Sequence, residues 1–385
     1  MSGSGRIYLR RIALSGFRNY SSLALKLDGR HVCLFGANGA GKTNLIEAVS
    51  QLSPGRGLRS ASLPDMARVQ GAEKGTSWAL GATLFDGDID RAIRIEASLE
   101  GSTRGKRVMQ VDGALATASS MSDLVRIIWL TPAMDRVFAG GATERRKFLD
   151  RQTLAHFSAH GSHSNAYEKA MRERNALLER DRPNPVWLDG LEARMAEHGA
   201  RIARHRVVTV QRLQAAVELR PDSAFPKADL GLEGLAEAAF SKGEELSEVE
   251  TMLRDQYRED RRRDARARRT LSGPHRSDLI VVHRPTGVPA ALASTGQQKA
   301  LLIGLILSNA RALEAEEDLR NPLVLLDEAV AHLDPDRRAA LFDELSALRG
   351  QAWLTGTEPE LFAEFGERAQ HFSVSAGQIS EKDAS

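Results

Sequence analysis

The 385-residue chain is 42% hydrophobic and 27% charged, ordinary for a soluble globular protein with room for two or more domains. Its net charge of +2 excludes a global basic field, and its longest apolar runs fall far short of the ~18 residues of a membrane-spanning helix. A single cysteine, Cys33, excludes an internal disulfide and reads as core packing.

In chain order, Met1 to Arg6 lacks the apolar core of a signal peptide, so a cytoplasmic location without membrane association is expected. Ile7 and Leu9 suggest a strand, and Leu23, Leu25 and Leu27 alternate as a half-buried one. His31 to Phe35 is a short apolar run, a buried strand, and Lys42 to Leu52 has helical spacing. Ser53 to Gly57 is a loop. Trp78 to Leu84 and Ile93 to Leu99 alternate across Asp86-Gly87-Asp88, an antiparallel hairpin signal, and Val108 to Val111 with Asp112-Gly113 extends the meander. Ile127 to Leu130 is a buried strand.

The pattern changes near Thr143. Glu144 to Leu154 is helical and basic. Tyr167 to Leu178 marks a helix that stops before Pro183, Leu188 to Val210 a longer one, and Glu244 to about Arg269 a third. This middle region lacks strand signals. From Ala291 the α/β pattern returns, with a helix over Gln297 to Leu313, a strand over Pro322 to Leu326, a helix over Arg337 to Leu348 and a short strand at Gln351 to Leu354.

Between the buried strand and its helix stands Gly36-Ala37-Asn38-Gly39-Ala40-Gly41-Lys42-Thr43, a G-x-x-x-x-G-K-T phosphate loop. Its glycines let backbone N–H groups face phosphate oxygens, and the helix N-terminus adds partial positive charge. Lys42 can reach the β- and γ-phosphates of a nucleoside triphosphate, and Thr43 can offer a hydroxyl to Mg²⁺. Leu323-Val324-Leu325-Leu326-Asp327-Glu328 is an apolar strand ending in two acids. Beside a phosphate loop, Asp327 would serve Mg²⁺, and Glu328 would orient or deprotonate the attacking water. Ser294-Thr295-Gly296-Gln297-Gln298-Lys299 precedes the long helix. Ser294 and the Gly296 backbone can hold a phosphate there or act as an ordinary N-cap.

The order of phosphate loop, S-x-G-Q-x-K, acidic strand and Ala331-His332-Leu333-Asp334 resembles the ABC-type ATPases. That resemblance implies an α/β fold, a mixed-sheet P-loop head interrupted by a helical lobe, and a head-to-head dimer. In such a dimer Ser294 and Gly296 of one copy would cap ATP held by the other, with His332-Leu333-Asp334 as the D-loop counterpart. Residues 1–150 would be the N-terminal part of the head, 151–270 the helical lobe, and 271–385 the C-terminal part.

Further stretches narrow the resemblance. These are Gly16-Phe17-Arg18-Asn19-Tyr20, the residues Asn38, Asn44, Glu47 and Ala48 around the loop, and Arg145-Arg146-Lys147-Phe148-Leu149-Asp150. Arg172 to Leu178 and Leu271-Ser272-Gly273-Pro274-His275-Arg276-Ser277-Asp278-Leu279 complete the set. Together they resemble the RecF family, over residues from about 7 to 360 and the lobe included, and this family is related in its heads to the SMC-type ATPases. The resemblance implies a slow, DNA-stimulated ATPase that works as a switch. It also implies an ATP-dependent homodimer on double-stranded DNA near gaps, cooperating with RecR and RecO to load RecA in recombinational repair and SOS induction. Ser277 departs from the family pattern, which has an aspartate there. Thr355-Gly356-Thr357 stands where transporters have a switch histidine, as in RecF-like chains. Gln51 comes too soon after the loop to be a Q-loop glutamine.

DNA phosphate contacts would come from Arg145, Arg146 and Lys147 and from the run Arg261 to Arg269, where Arg262 and Arg266 are the candidates. The alternatives are a bridge between head and lobe for Arg145 and Arg146, and a solvated helix with i,i+4 ion pairs for the run. The other functional classes are a transporter's nucleotide-binding subunit and an SMC-like structural tether. Against the first stand the long separation of Thr43 from Ser294, the missing Q-loop and Thr355. Against the second stands the short, irregular insert.

Overall fold

The computed structural model describes residues 6–70, 73–99, 105–181, 183–316 and 321–383. Its contacts divide the chain into two compact units. One comprises 1–134, 223–225 and 306–385, the other 135–222 and 226–305.

The first unit has two six-stranded sheets. In the antiparallel one, Tyr8–Phe17 pairs with Tyr20–Lys26 on one side and Ser77–Phe85 on the other, and Asp90–Ser98, Lys106–Val111 and Ala114–Leu115 follow. The expected hairpin is present, with Leu80 opposite Ile95 and Ala82 opposite Ile93. Asp112 and Gly113 turn the next one with φ values of 51° and 82°, both in the left-handed region that a two-residue hairpin loop requires.

The other sheet runs Ile127–Leu130, Leu323–Leu326, Ala352–Gly356, His31–Phe35, Ala369–Ser375, Gln378–Lys382. Neighbouring strands are parallel until the last pair. Its central strands are buried on both faces, which is why they read as unbroken apolar runs rather than alternating ones. One core joins Leu9, Ile12, Leu80 and Ile95 of the antiparallel sheet to Val32, Leu34, Leu325 and Trp353 of the parallel one. Leu45, Ile46 and Val49 of helix Lys42–Ser50 enter the same core.

The second unit is built on helices Ala142–His156, His160–Leu178, Pro185–Leu219 and Leu246–Ala267. It also holds strands where none was expected. Ala228–Glu233 pairs antiparallel with Asp278–His283, which pairs in turn with Val288–Pro289. The first of these is six residues long with Gly231 inside it, so its alternation is too short to stand out against a turn reading.

The Arg172 to Leu178 stretch gains a physical reason here. Arg174 is fully buried and donates to Glu192 Oε1 at 2.9 Å, Asp264 Oδ2 at 2.7 Å, Thr270 Oγ1 at 3.1 Å and the Tyr257 carbonyl at 2.7 Å. One guanidinium thus ties three helices and the segment leading to Gly273. A buried ion cluster gains little over apolar packing, but removal of one partner strands the others. Arg174→Met should destabilise the protein by about 3–5 kcal/mol in urea denaturation, because buried Asp264 loses its paired cation and buried Glu192 is left with Arg261 alone.

Candidate nucleotide site

Strand order brings the site together. The strand before the phosphate loop and the strand ending in Asp327 both flank Ala352–Gly356, so three carboxyl ends meet at one edge of the sheet. Crevices at the carboxyl ends of parallel strands are where such sheets bind ligands.

Asn38 and Gly39 are exposed, while Ala40, Gly41 and Lys42 are buried. Gly36 and Gly41 have φ of 144° and 122°. A Cβ at Gly36 would stand 2.2 Å from the Val374 carbonyl oxygen, and one at Gly41 would stand 2.4 Å from Asn19 Nδ2. Lys42 Nζ donates to the carbonyls of Gly36 at 2.6 Å and Ala37 at 3.0 Å, which holds the ammonium over the loop. Burial lowers the Lys42 pKa, opposed by Glu328 and Asp327.

Asp327 Oδ1 accepts from Thr43 Oγ1 at 2.9 Å and from Thr355 Oγ1 at 2.8 Å. Thr355 Oγ1 in turn accepts from the Glu328 backbone N–H at 2.8 Å. Burial raises the Asp327 pKa against the lowering by those two hydroxyls. Glu328 is half-buried and sits in the left-handed region with φ 52°, a strained backbone for a residue with a side chain. The hydroxyl of Thr43 and the carboxylate of Asp327 are the hard oxygen donors that Mg²⁺ prefers, so the residues fit that ion.

Sequence reasoning singled out Arg18, Asn19, Tyr20, Asn44 and Glu47 by resemblance but gave them no role, and it missed Arg59. Tyr20 Oη donates to the Gly41 carbonyl at 3.0 Å, and Asn19 donates to the Ala40 carbonyl at 3.1 Å and accepts from Asn44 Nδ2 at 2.7 Å. Arg18 donates two bonds to Glu47, at 2.8 and 2.7 Å. Arg59 donates to Asn44 Oδ1 at 2.8 Å, and its charge lowers the Asp327 pKa. These bonds explain the Gly16 to Tyr20 stretch and the Asn44 and Glu47 decorations. Thr355 was noted only as a substitution, yet it links Asp327 to Glu328.

In the second unit, Ser294 and Gly296 are exposed at the start of helix Thr295–Glu314. Ser294 Oγ accepts from the Gln297 N–H at 3.3 Å, and Gln297 Oε1 accepts from the Ser294 N–H at 2.9 Å, a reciprocal cap. Arg145 makes a bidentate pair with Asp278 at 2.8 and 2.6 Å, and Arg146 donates to the Ser277 carbonyl at 2.8 Å. Both therefore hold strand Asp278–His283 to helix Ala142–His156. Lys147 pairs with Glu144 at the surface. In the arginine run, Arg261 binds Asp189 and Glu192, and Arg263 binds Asp260. Arg262 and Arg266 are exposed. Ser277 is buried, accepts from Arg206 Nη1 at 2.7 Å and donates to the Pro274 carbonyl at 2.8 Å. Arg206 has carboxylates in Asp150 and Glu237, so the site keeps acidic partners without an aspartate at 277.

The fold and the strand-end cluster define an ABC-type P-loop ATPase head, and residues 8–379 match the model of the RecF/RecN/SMC N terminal domain. A Brucella suis biovar 1 (strain 1330) protein, DNA replication and repair protein RecF, is 49% identical over 375 residues, covering 97% of this chain and 96% of that one. Its counterpart of the same name from Rhizobium etli (strain CIAT 652) is 46% identical over 380 residues, 97% of this chain and 99% of that one. The chain belongs to the RecF family of DNA replication and repair proteins. A solved structure of the recombination mediator protein RecF-ATPrS in the RecFOR pathway has the same fold. Its TM-score is 0.83 at 21% identity, covering 99% of this chain and all of that one. The Smc head domain from Pyrococcus furiosus matches at a TM-score of 0.56 and 16% identity, over 98% of this chain and 96% of that one. Among the described residues, no helix is long and apolar enough to cross a membrane.

The raised pKa of Asp327 has a consequence for stability. A carboxyl whose folded pKa exceeds its unfolded value favours the fold below the unfolded pKa and loses that contribution as pH rises through the folded one. Without nucleotide or metal, Asp327→Asn should therefore raise the melting temperature at pH 8 and leave it nearly unchanged at pH 3, where the aspartate is protonated in both states. Differential scanning calorimetry at the two pH values checks this.

Proposed function

We propose that this chain binds ATP and Mg²⁺ at the strand-end cluster, dimerises head to head when ATP is bound, and clamps double-stranded DNA at gaps. The observation that carries the reading is the meeting of the Thr43 hydroxyl and the Asp327 carboxylate at 2.9 Å beside the Lys42 ammonium. Solved structures of the family fold, described as RecF-ATP and RecF-ATPrS, support it.

Backbone N–H groups of Ala37, Asn38, Gly39, Ala40 and Gly41 and the Lys42 ammonium take the phosphates, with oxygens replacing the carbonyls that Lys42 now binds. Mg²⁺, held by Thr43 and Asp327, would neutralise charge on the β- and γ-phosphates. Glu328 orients the attacking water and takes its proton. Its strained backbone and the Thr355 bond to its N–H keep the residue at a fixed angle to the strand end. Ser294 and Gly296 are exposed, as a surface that must meet a second copy's triphosphate has to be. The cap leaves Gly296 and the helix N-terminus as donors.

DNA phosphates are met by exposed arginines such as Arg262 and Arg266, since Arg145 and Arg146 are held by partners within their own unit. RecO and RecR are the protein partners in this reading, which the RecFOR pathway of the solved relatives supports. Hydrolysis is slow and DNA-stimulated, and it resets the clamp.

Turnover and DNA retention, measured together, test the proposal. Glu328→Gln should lose ATP hydrolysis yet hold gapped duplex longer than wild type in the presence of ATP. Lys42→Met should lose both hydrolysis and ATP-dependent retention. Wild-type turnover by Glu328→Gln, or equal DNA retention by all three proteins, contradicts the reading.

A further inference from the structure

Four histidines gather in the second unit beside Asp150 and Arg206. His160 and His163 lie on helix His160–Leu178, and His198 and His205 on helix Pro185–Leu219. His163 Nδ1 and His198 Nδ1 are 3.0 Å apart. Ring centroids are 5.3 Å apart for His163 and His198, 5.8 Å for His163 and His205, and 5.6 Å for His160 and His205. His160 Nε2 is bonded to Asp150 at 3.0 Å, and His205 is stacked on Phe157 at 4.3 Å. The buried Nδ1 atoms of His160 and His205 have no hydrogen-bond partner among the described residues.

We infer that His163 and His198 form a chelating pair for a divalent transition-metal ion, bridging the two helices. A metal 2.0–2.1 Å from each of two nitrogens 3.0 Å apart subtends about 94°, the angle of square-planar or octahedral sites, and opening by a few tenths of an ångström reaches the tetrahedral angle. Imidazole suits Cu²⁺, Ni²⁺ and Zn²⁺, whereas Mg²⁺ prefers oxygen. Ligation needs neutral rings. Burial lowers the pKa of His163, followed by the charges of His198, Arg201 and His160, and burial likewise takes His205 down to about 3. Arg201 is the cation facing the pair, and its bonds to Glu197 and Glu250 offset it. The charge of Glu197 acts on His163 in the opposite direction, raising its pKa.

As the side chains stand, no three metal-ligating groups converge among the described residues. The site is therefore a two-histidine chelate with its other positions open to water. Both rings are half-buried, so an ion can enter from solvent. A bare hydrogen bond between the rings is the competing account, and the two differ in what they bind.

The test uses the full chain without a histidine tag, stripped with EDTA and titrated calorimetrically with CuCl₂, NiCl₂, ZnCl₂ and MgCl₂. The expected result is one equivalent of each transition metal, tightest for Cu²⁺, with no heat from Mg²⁺ at that site. His163→Gln and His198→Gln should each weaken binding at least ~10-fold, and His198→Cys, which keeps a ligand, should retain it. Should the glutamine variants misfold, the electron paramagnetic resonance spectrum of the wild-type Cu²⁺ complex gives the answer through nitrogen couplings from two imidazoles. Absence of transition-metal binding, binding unchanged in both glutamine variants, or a Cu²⁺ spectrum without two nitrogens would overturn the inference.

Discussion

One carboxylate oxygen organises the head. Asp327 Oδ1 accepts hydroxyls from Thr43 on the phosphate-loop helix and from Thr355 at the end of the strand between them. Three chain segments far apart in sequence are thereby fixed to one point at the edge of the parallel sheet. The same Thr355 hydroxyl takes the Glu328 N–H, so the candidate base and the candidate metal ligand share one support. Burial makes this carboxylate unfavourable as an isolated charge, and only a cation of the right size would satisfy it fully.

The rest of the first unit supports that point. Strand Tyr8–Phe17 delivers Arg18, Asn19 and Tyr20 behind the phosphate loop, where they hold Glu47, Ala40 and Gly41. The turn after Ala369–Ser375 adds a bond from the Gly377 N–H to the Ala40 carbonyl at 3.1 Å. The loop is thus held from behind by backbone and side-chain bonds, which leaves Asn38 and Gly39 free to face a ligand. The second unit packs its own apolar core, with Met195, Ile202, Val249 and Leu253 in it, and fixes its helices further by charge pairs. Arg174, Arg206 and Arg145 each bind acids, and the Arg145 pair gives a structural role to one of the basic stretches that sequence alone leaves open between structure and DNA.

Much of this was legible from sequence where the signal is local. The phosphate loop, the apolar strand ending in Asp327 and Glu328 and the long helices each declare themselves within about 20 residues. Strand Ala369–Ser375 did not, because Gln370 and His371 lie in it. Both are buried, and both find partners, Asp28 N–H for Gln370 and the Gly366 carbonyl for His371. Thr355 and Arg59 escaped for a different reason. Their importance lies in contacts with residues distant in sequence or spread across a loop, and no spacing rule encodes those. Ser277 looked like a loss of charge, yet Glu237, 40 positions earlier, lies within 3.5 Å of the arginine that Ser277 binds.

The central claim is that Asp327 and Thr43 form the seat of a magnesium ion serving ATP. Calorimetric titration of ATP into wild type and Asp327→Asn, each with and without Mg²⁺, tests it most directly. The account predicts that Mg²⁺ tightens ATP binding by wild type and has little effect on the variant, whose amide still accepts both hydroxyls. Equal tightening by Mg²⁺ in the two proteins would contradict it.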